Sequence, residues 1–142
     1  MSRWMSWLLS ITVLALAIGG FWWFFLRDDL NVGNRLAMNH CGMCHDVTSR
    51  QSKGKAPPLW GLTTRAPGTY PRYKYSQAFL DYVKANPFQW DRGLLETFLR
   101  TPEEVIPGNA MGNNNTGHPS FYRDVNHSRF RKDLVAYIIQ LR

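Results

Sequence analysis

Two cysteines and a histidine form the densest group of chemically reactive side chains in the sequence, within the run Cys41-Gly42-Met43-Cys44-His45. Two thiols at this spacing can each add to one vinyl group of a porphyrin, and a histidine directly after the second thiol can bind the porphyrin iron. The motif therefore predicts one covalently bound haem c, attached through Cys41 and Cys44, with His45 as the proximal iron ligand.

Two other sites use cysteines at this spacing. A thioredoxin-type redox pair needs a βαβ context, and no strand-rich stretch surrounds the motif. A structural zinc site needs two further ligands at close spacing, and the chain has only these 2 cysteines. A redox pair would also have no use for His45, so covalent haem attachment explains the motif best.

An electron carrier also needs a sixth iron ligand, and Met111 is the best candidate. It lies in the loop Pro107-Gly108-Asn109-Ala110-Met111, which can present a side chain rigidly. A methionine ligand raises the reduction potential relative to a second histidine. The alternative is that Met111 is an ordinary core methionine. The competing ligands are too close to His45 (Met38, Met43, His40), lie in the N-terminal apolar segment (Met1, Met5), or fall in a long polar loop (His118, His127).

The segment from Trp4 to Leu26 has no charged residue and no proline. As a helix it is about 34 Å long, enough for a bilayer core of about 30 Å. Trp4 and Trp7 lie near one end, and the aromatic run Phe21-Trp22-Trp23-Phe24-Phe25 lies near the other, as in interfacial belts. We therefore expect a transmembrane anchor over residues 1–26. A buried core helix and a signal peptide cleaved after Ala17-Ile18-Gly19 are the alternatives.

The remaining chain predicts one small domain with a basic surface. The length is 142 residues and the net charge is +7. No nucleic-acid-binding motif is present, so this charge would meet an acidic protein partner or anionic lipid head groups. Residues 27–32 form a short linker, and residues 33–142 form the monohaem domain. Because haem c is attached outside the cytoplasm, this domain should be periplasmic.

Helical periodicity and capping residues predict an all-α fold without strands. Asp91 can cap a helix, and apolar residues recur at helical spacing behind it. The stretch from Gly112 to Ser128 is polar and rich in glycine and asparagine, which predicts an exposed loop. The predicted helices are 33–40, 77–85, 91–100 and 130–141.

The chain from Gly33 to Arg142 resembles the class I cytochromes c of the mitochondrial type, here preceded by a membrane anchor. Besides the haem motif, the matching features appear in order as Gly33, Pro57-x-Leu59-x-Gly61-Leu62-x-x-Arg65, Tyr75, Trp90, Pro102, Ile106-Pro107-Gly108-x-x-Met111 and Asp133-Leu134-Val135-Ala136-Tyr137. The resemblance implies a class I cytochrome c fold wrapped around one haem, with iron bound by His45 and Met111.

The resemblance also implies roles for residues around the haem. The Pro57 carbonyl would accept the imidazole N–H of the proximal histidine and so fix its orientation. Arg65, Tyr75 and Trp90 would surround the haem propionates. Gly33 would let the first helix of the domain cross closely over Tyr137 in the last helix.

Some residues depart from the family pattern. Ala37 replaces an aromatic residue, Phe98 replaces a tyrosine near the methionine ligand, and Asn109-Ala110 replace Thr-Lys. Extra residues lie between Tyr75 and Trp90, and between Met111 and the last helix. These insertions are either a docking surface for a partner or tolerated surface loops.

Two functions remain open at this point. The chain is either a membrane-anchored carrier of single electrons or a permanent subunit of a larger membrane oxidoreductase. The carrier would accept from a quinol-oxidising complex or dehydrogenase and donate to a terminal oxidase or reductase. An enzyme such as a peroxidase would need an open iron position, which Met111 argues against. The expected location is the bacterial inner membrane, with a single span through residues 4–26 and the haem domain in the periplasm.

Overall fold

The computed structural model describes residues 3–49, 51, 55–111 and 119–142, and these residues contain helices and no strand. Arg50, Lys53, His118 and the first part of the loop predicted after Met111 lie outside them. The helices of the described residues are α1 (Arg3–Leu26), α2 (Leu30–Leu36), a π-helix (Ala37–Cys41), α3 (Gln77–Ala85), α4 (Arg92–Arg100), α5 (Pro102–Val105), α6 (Pro119–Asn126) and α7 (Ser128–Ile138).

Helix α1 is apolar and contacts no core. It has 24 residues, which gives a length of about 36 Å. Its segment from Trp7 to Phe24 is long and apolar enough to cross a membrane, and none of that segment is buried. This exposure excludes the alternative of a buried core helix. A signal sequence near the N-terminus can have the same length and composition.

The connection between α1 and α2 is shorter than predicted. Asp29 caps α2, where its carboxylate accepts hydrogen bonds from the backbone N–H groups of Asn31 and Val32. This cap starts the helix at Leu30, so half of the predicted linker 27–32 is helical. Only three residues, Arg27 to Asp29, separate the two helices.

Helices α2 and α7 cross at Gly33. A Cβ atom at this position would lie 2.2 Å from the Asp133 carbonyl oxygen and 2.7 Å from the Tyr137 Cβ atom. Asn34 donates a hydrogen bond of 2.7 Å to the Tyr137 hydroxyl beside the crossing. The close approach that the family resemblance implied is therefore present, and it requires glycine.

Side-chain caps mark the start of helices α3 and α4, whose predicted positions agree well with the structure. The Ser76 hydroxyl accepts from the backbone N–H of Phe79 at the start of α3, and the Asp91 carboxylate accepts from that of Leu94 at the start of α4. The predicted range 77–85 and the predicted Asp91 cap are both confirmed. Leu95, Phe98 and Leu99 of α4 are buried against apolar residues of α7 in the core.

The loop predicted from Gly112 to Ser128 is wrong for its second part. Residues Pro119–Asn126 form helix α6, whose Val125 is buried in the core. Arg131 of α7 donates a hydrogen bond of 2.6 Å to the Val125 carbonyl, so it satisfies a backbone acceptor at the end of α6. The few apolar residues of this helix, in a stretch that is otherwise polar, were too weak a signal to predict it.

Candidate haem site

One cavity collects the residues that the sequence singled out. It has a volume of about 310 Å³, within the range of small cofactor pockets. All eight predicted cofactor-binding residues line it: Cys41, Cys44, His45, Pro57, Arg65, Tyr75, Trp90 and Met111. Most of the other lining residues are apolar, so the cavity offers a largely apolar environment with a thiol pair, an imidazole and a thioether at its wall.

The thiol motif begins inside the π-helix. The backbone N–H of Gly42 bonds to the Ala37 carbonyl at 2.8 Å, which closes the wider turn. Cys41 is buried at the end of this helix, and burial raises the pKa of its thiol to about 12, with a smaller contribution from Cys44. A redox-active cysteine requires a lowered pKa. The raised pKa of Cys41 therefore disfavours a thioredoxin-type redox role.

The orientation of His45 is set by a backbone carbonyl. Its Nδ1 atom lies 2.7 Å from the Pro57 oxygen, the contact that the family resemblance implied. Since a carbonyl only accepts, Nδ1 carries the proton and Nε2 keeps a lone pair for a metal. Burial lowers the pKa of His45, which favours the neutral imidazole that iron binding requires.

Asp46 fixes the loop that presents the Pro57 carbonyl. Its backbone oxygen accepts from the Leu59 N–H at 2.9 Å, and its buried carboxylate accepts from the backbone N–H and hydroxyl groups of Thr48 and Ser49. The Ser49 hydroxyl contributes most to lowering the pKa of Asp46, from 3.8 to about 2. The Asp46 carboxylate therefore stabilises the fold next to the proximal histidine.

An Asp46→Asn variant should be less stable by about 1–2 kcal/mol at pH 7. Because the folded pKa lies below the unfolded value, the contribution of Asp46 is complete above pH 3.8 and is lost as the pH falls through about 2. Denaturant unfolding of both proteins at pH 7 and at pH 3 measures the difference, which should shrink at the lower pH. Asp81→Asn, on the exposed face of α3, is the control. A difference that is unchanged at pH 3 would contradict this role of the carboxylate.

Three predicted propionate partners line the cavity together. Arg65 donates to the carbonyls of Trp60 and Pro58, and burial lowers the pKa of its guanidinium. Burial raises the pKa of Tyr75, which lies beside Arg65. Trp90 is 6% exposed and packs edge-to-face on Phe98 with ring centroids 5.1 Å apart. These side chains are thus held rigidly at the cavity wall, as contacts to carboxylates require.

Met111 reaches the cavity from a loop with defined backbone geometry. Gly108 has a φ angle of +72°, and its N–H bonds to Glu103 at 2.8 Å. The Asn109 side chain, in place of the usual threonine, is buried and donates to the carbonyls of Pro102 at 3.0 Å and Ile106 at 2.7 Å. The departure at Asn109 therefore serves to hold the loop that carries Met111.

The competing ligands are placed differently. Met38 and His127 are exposed and do not line the cavity, and the His127 ring packs on Phe130. Met43 lines the cavity but is 62% exposed. His118 lies outside the described residues. Of the two methionines at the cavity wall, Met111 is thus the one that packs against the core.

A hydrogen bond between residues distant in the sequence lies behind the haem motif. His40 lines the cavity, and its Nε2 atom lies 2.9 Å from a carboxylate oxygen of Asp124 in α6. The hydrogen bond with His40 lowers the pKa of Asp124. The two residues are 84 positions apart in the sequence, and nothing in the local pattern around Asp124 signals the contact. Helix α6 therefore braces the helix that carries Cys41.

The geometry fits a covalently attached haem. A buried thiol, an oriented neutral imidazole and a methionine surround one apolar cavity, which are the groups that haem c needs. Among the described residues, no group of three histidine, cysteine or acidic side chains could hold a metal ion by itself. His45 and Met111 suit a porphyrin iron, which brings four ligands of its own.

Comparison with known proteins identifies the family. No protein-family profile matches the chain. Cytochrome c2 iso-1 of Magnetospirillum molischianum is 40% identical over 76 residues, covering 54% of this chain and 71% of that protein. Cytochrome c-550 of Novispirillum itersonii is 30% identical over 102 residues, covering 72% and 89%. Cytochrome c of Euglena viridis is 27% identical over 114 residues, covering 80% and 98%. The chain accordingly belongs to the class I c-type cytochromes and carries covalently attached haem c.

Proposed function

We propose that the chain is a membrane-anchored monohaem cytochrome c that transfers single electrons between redox proteins of a respiratory or photosynthetic chain. The observation that carries this proposal is that His45 and Met111 line the same cavity. Two protein ligands leave no open iron position for a substrate, which favours electron transfer over catalysis. Haem c supplies an iron that alternates between the ferric and ferrous states by one electron.

Each predicted residue has a role in this proposal. Cys41 and Cys44 form the thioether bonds, His45 is the proximal ligand and Met111 the distal ligand. The Pro57 carbonyl holds the His45 ring in its ligating tautomer, since it accepts the Nδ1 proton at 2.7 Å. Separately, Arg65, Tyr75 and Trp90 are proposed to bind and shield the haem propionates. Their support is their common position at the cavity wall, the partial burial of Arg65 and the burial of Trp90.

We infer that residues 1–26 anchor the protein in the bacterial inner membrane and that the haem domain, which follows Arg27 to Asp29, lies in the periplasm. Exposure of the apolar helix α1 along its length supports this, because an exposed apolar surface of this size needs lipid. Trp22 and Trp23 lie near the end next to the haem domain, where interfacial aromatics are common.

The anchor predicts how the mature protein behaves. It should begin at or near Met1 and remain in membranes that are washed with alkaline carbonate, because removing α1 from lipid would expose its whole apolar surface to water. N-terminal sequencing and carbonate extraction of native membranes measure both properties. A mature terminus at Gly20 or beyond, with haem in the soluble fraction, would show that α1 is a signal peptide.

A permanent subunit of a larger oxidoreductase is the second candidate, and one observation favours it. Besides being short, the connection after α1 is held to the domain: Arg92 pairs with Asp28 at 2.6 Å, and the Asp29 N–H bonds to Asp133 at 2.8 Å. A haem domain held this way has little reach, whereas a carrier that moves between partners benefits from a long tether.

Gentle solubilisation of native membranes distinguishes the two functions. A carrier should migrate alone, and its haem should be reduced by quinol-linked substrates and reoxidised at a rate that falls steeply with salt. A permanent subunit should copurify with a stoichiometric partner and pass electrons at a rate nearly independent of salt. We expect the carrier result. A stoichiometric complex that survives detergent and salt would assign the chain to the second function.

A further inference from the structure

The start of α7 lies next to the end of the apolar helix. Beyond the α2–α7 crossing, the Asp29 N–H bonds to Asp133, and Arg129, one turn earlier in α7, donates to the Arg27 carbonyl. Successive turns of α7 therefore follow the chain back towards Leu26, the last residue of α1. If α1 crosses the membrane, as proposed above, the first turn of α7 lies at the level of the lipid head groups.

This first turn carries exposed side chains suited to that position. Phe130 is 38% exposed, and the exposed His127 ring packs on it with centroids 4.7 Å apart. Lys132 begins the next turn, on another side of α7 from Phe130, and is exposed as well. Arg27 is also exposed, and its guanidinium lies 4.4 Å from the Trp23 ring centroid. Because Cα–Cβ bonds in a helix tilt towards its N-terminus, the side chains of this turn lean towards the end of α1.

We propose that Arg27, Phe130 and Lys132, here called the corner surface, bind the anionic phospholipid head groups of the bilayer that α1 spans. Continuity with the anchor brings this surface to the bilayer, and two cations with one aromatic ring match the interfacial region chemically. The inference rests on the proposed anchor and goes beyond it: the surface would hold the haem domain in one orientation on the membrane.

The position of the corner surface can be measured with a spin label. Both natural cysteines are bonded to haem, so a new cysteine is labelled uniquely. Ser128→Cys places the label on the first turn of α7 and keeps all three residues of the corner surface, whereas Lys84→Cys, on the exposed side of α3, is the matched control. The full-length, reduced holoprotein is reconstituted in vesicles of phosphatidylcholine with or without phosphatidylglycerol.

Relaxation by oxygen and by a water-soluble nickel chelate reports the depth of each label. At position 128 we expect the label to be shielded from nickel and accessible to oxygen in vesicles that contain phosphatidylglycerol, while the label at position 84 stays accessible to nickel. Adding Lys132→Gln should lower the ratio of docked to undocked protein about fivefold in these vesicles.

Carbonate washing of the same vesicles separates the two hypotheses. If the protein stays with the vesicles but both labels meet nickel equally, the corner surface does not bind lipid and the anchor stands. Shielding at position 128 that is equal in both vesicle types and unaffected by Lys132→Gln would also overturn the proposed recognition of anionic head groups. If the protein washes off, both the anchor and the corner surface are wrong.

Discussion

Replacing Met111 by alanine should abolish the weak far-red absorption band of the ferric protein, lower its reduction potential and let the ferrous protein bind carbon monoxide. Met111 lines the same cavity as His45 and packs against the core, so it is positioned by its surroundings. As the proposed sixth ligand, the Met111 thioether would raise the potential and fill that iron position, and alanine has no group that can replace it. Optical spectra, a redox titration and exposure to carbon monoxide measure the three effects.

Met43→Ala is the matched control for this prediction. Met43 also lines the cavity but is 62% exposed, so its removal should leave the band, the potential and the resistance to carbon monoxide unchanged. A wild-type ferric spectrum without the band, or a band that persists in Met111→Ala, would assign the sixth ligand elsewhere. Loss of the band in Met43→Ala alone would contradict the proposed ligation as well.

Gly33→Ala should destabilise the protein by about 3 kcal/mol or more, since overpacking a tight contact forces the backbone to move. The added Cβ atom would lie 2.2 Å from the Asp133 carbonyl oxygen and 2.7 Å from the Tyr137 Cβ atom. Neither atom belongs to the flexible end of a side chain, so helices α2 and α7 must separate. Denaturant unfolding of the holoprotein, followed by circular dichroism, measures the loss.

Gly93→Ala is the control for this substitution, because Gly93 also lies in a helix. Its added Cβ atom would meet only an ordinary contact, 3.5 Å from the Asp91 carboxylate. Alanine is the better helix former, so this variant should be unchanged or more stable by about 0.5–1 kcal/mol. Equal destabilisation at both positions would mean that the α2–α7 crossing does not depend on glycine.

The two predictions concern different parts of one arrangement. Gly33 decides how closely α2 approaches α7, and α2 continues into the π-helix that carries Cys41. A wider crossing would therefore also shift the haem motif relative to the loop of Met111. We expect Gly33→Ala to weaken the far-red band partially, whereas Met111→Ala removes it completely.

The sequence by itself determined the chemistry of the site and the helices with local signals. The spacing of Cys41, Cys44 and His45 can be recognised in the sequence without knowledge of the fold. Asp91 caps α4 through a contact three residues away, and the apolar spacing behind it places Leu95 and Phe98 in the core. Such short-range interactions depend only on residues that are close together in the sequence, so the sequence alone can predict them.

Only the tertiary structure decided the contacts between distant polar residues. Asp29 bonds to Asp133 across 104 positions, and His40 meets Asp124 across 84. In the sequence, these residues resemble ordinary polar surface residues. No periodic pattern indicates which distant residue a polar side chain will contact. Helix α6 was not predicted, because it too depends on a contact with residues distant in the sequence. Its packing depends on Val125 entering a core that α4 and α7 have already built, a condition that no local window of the sequence contains.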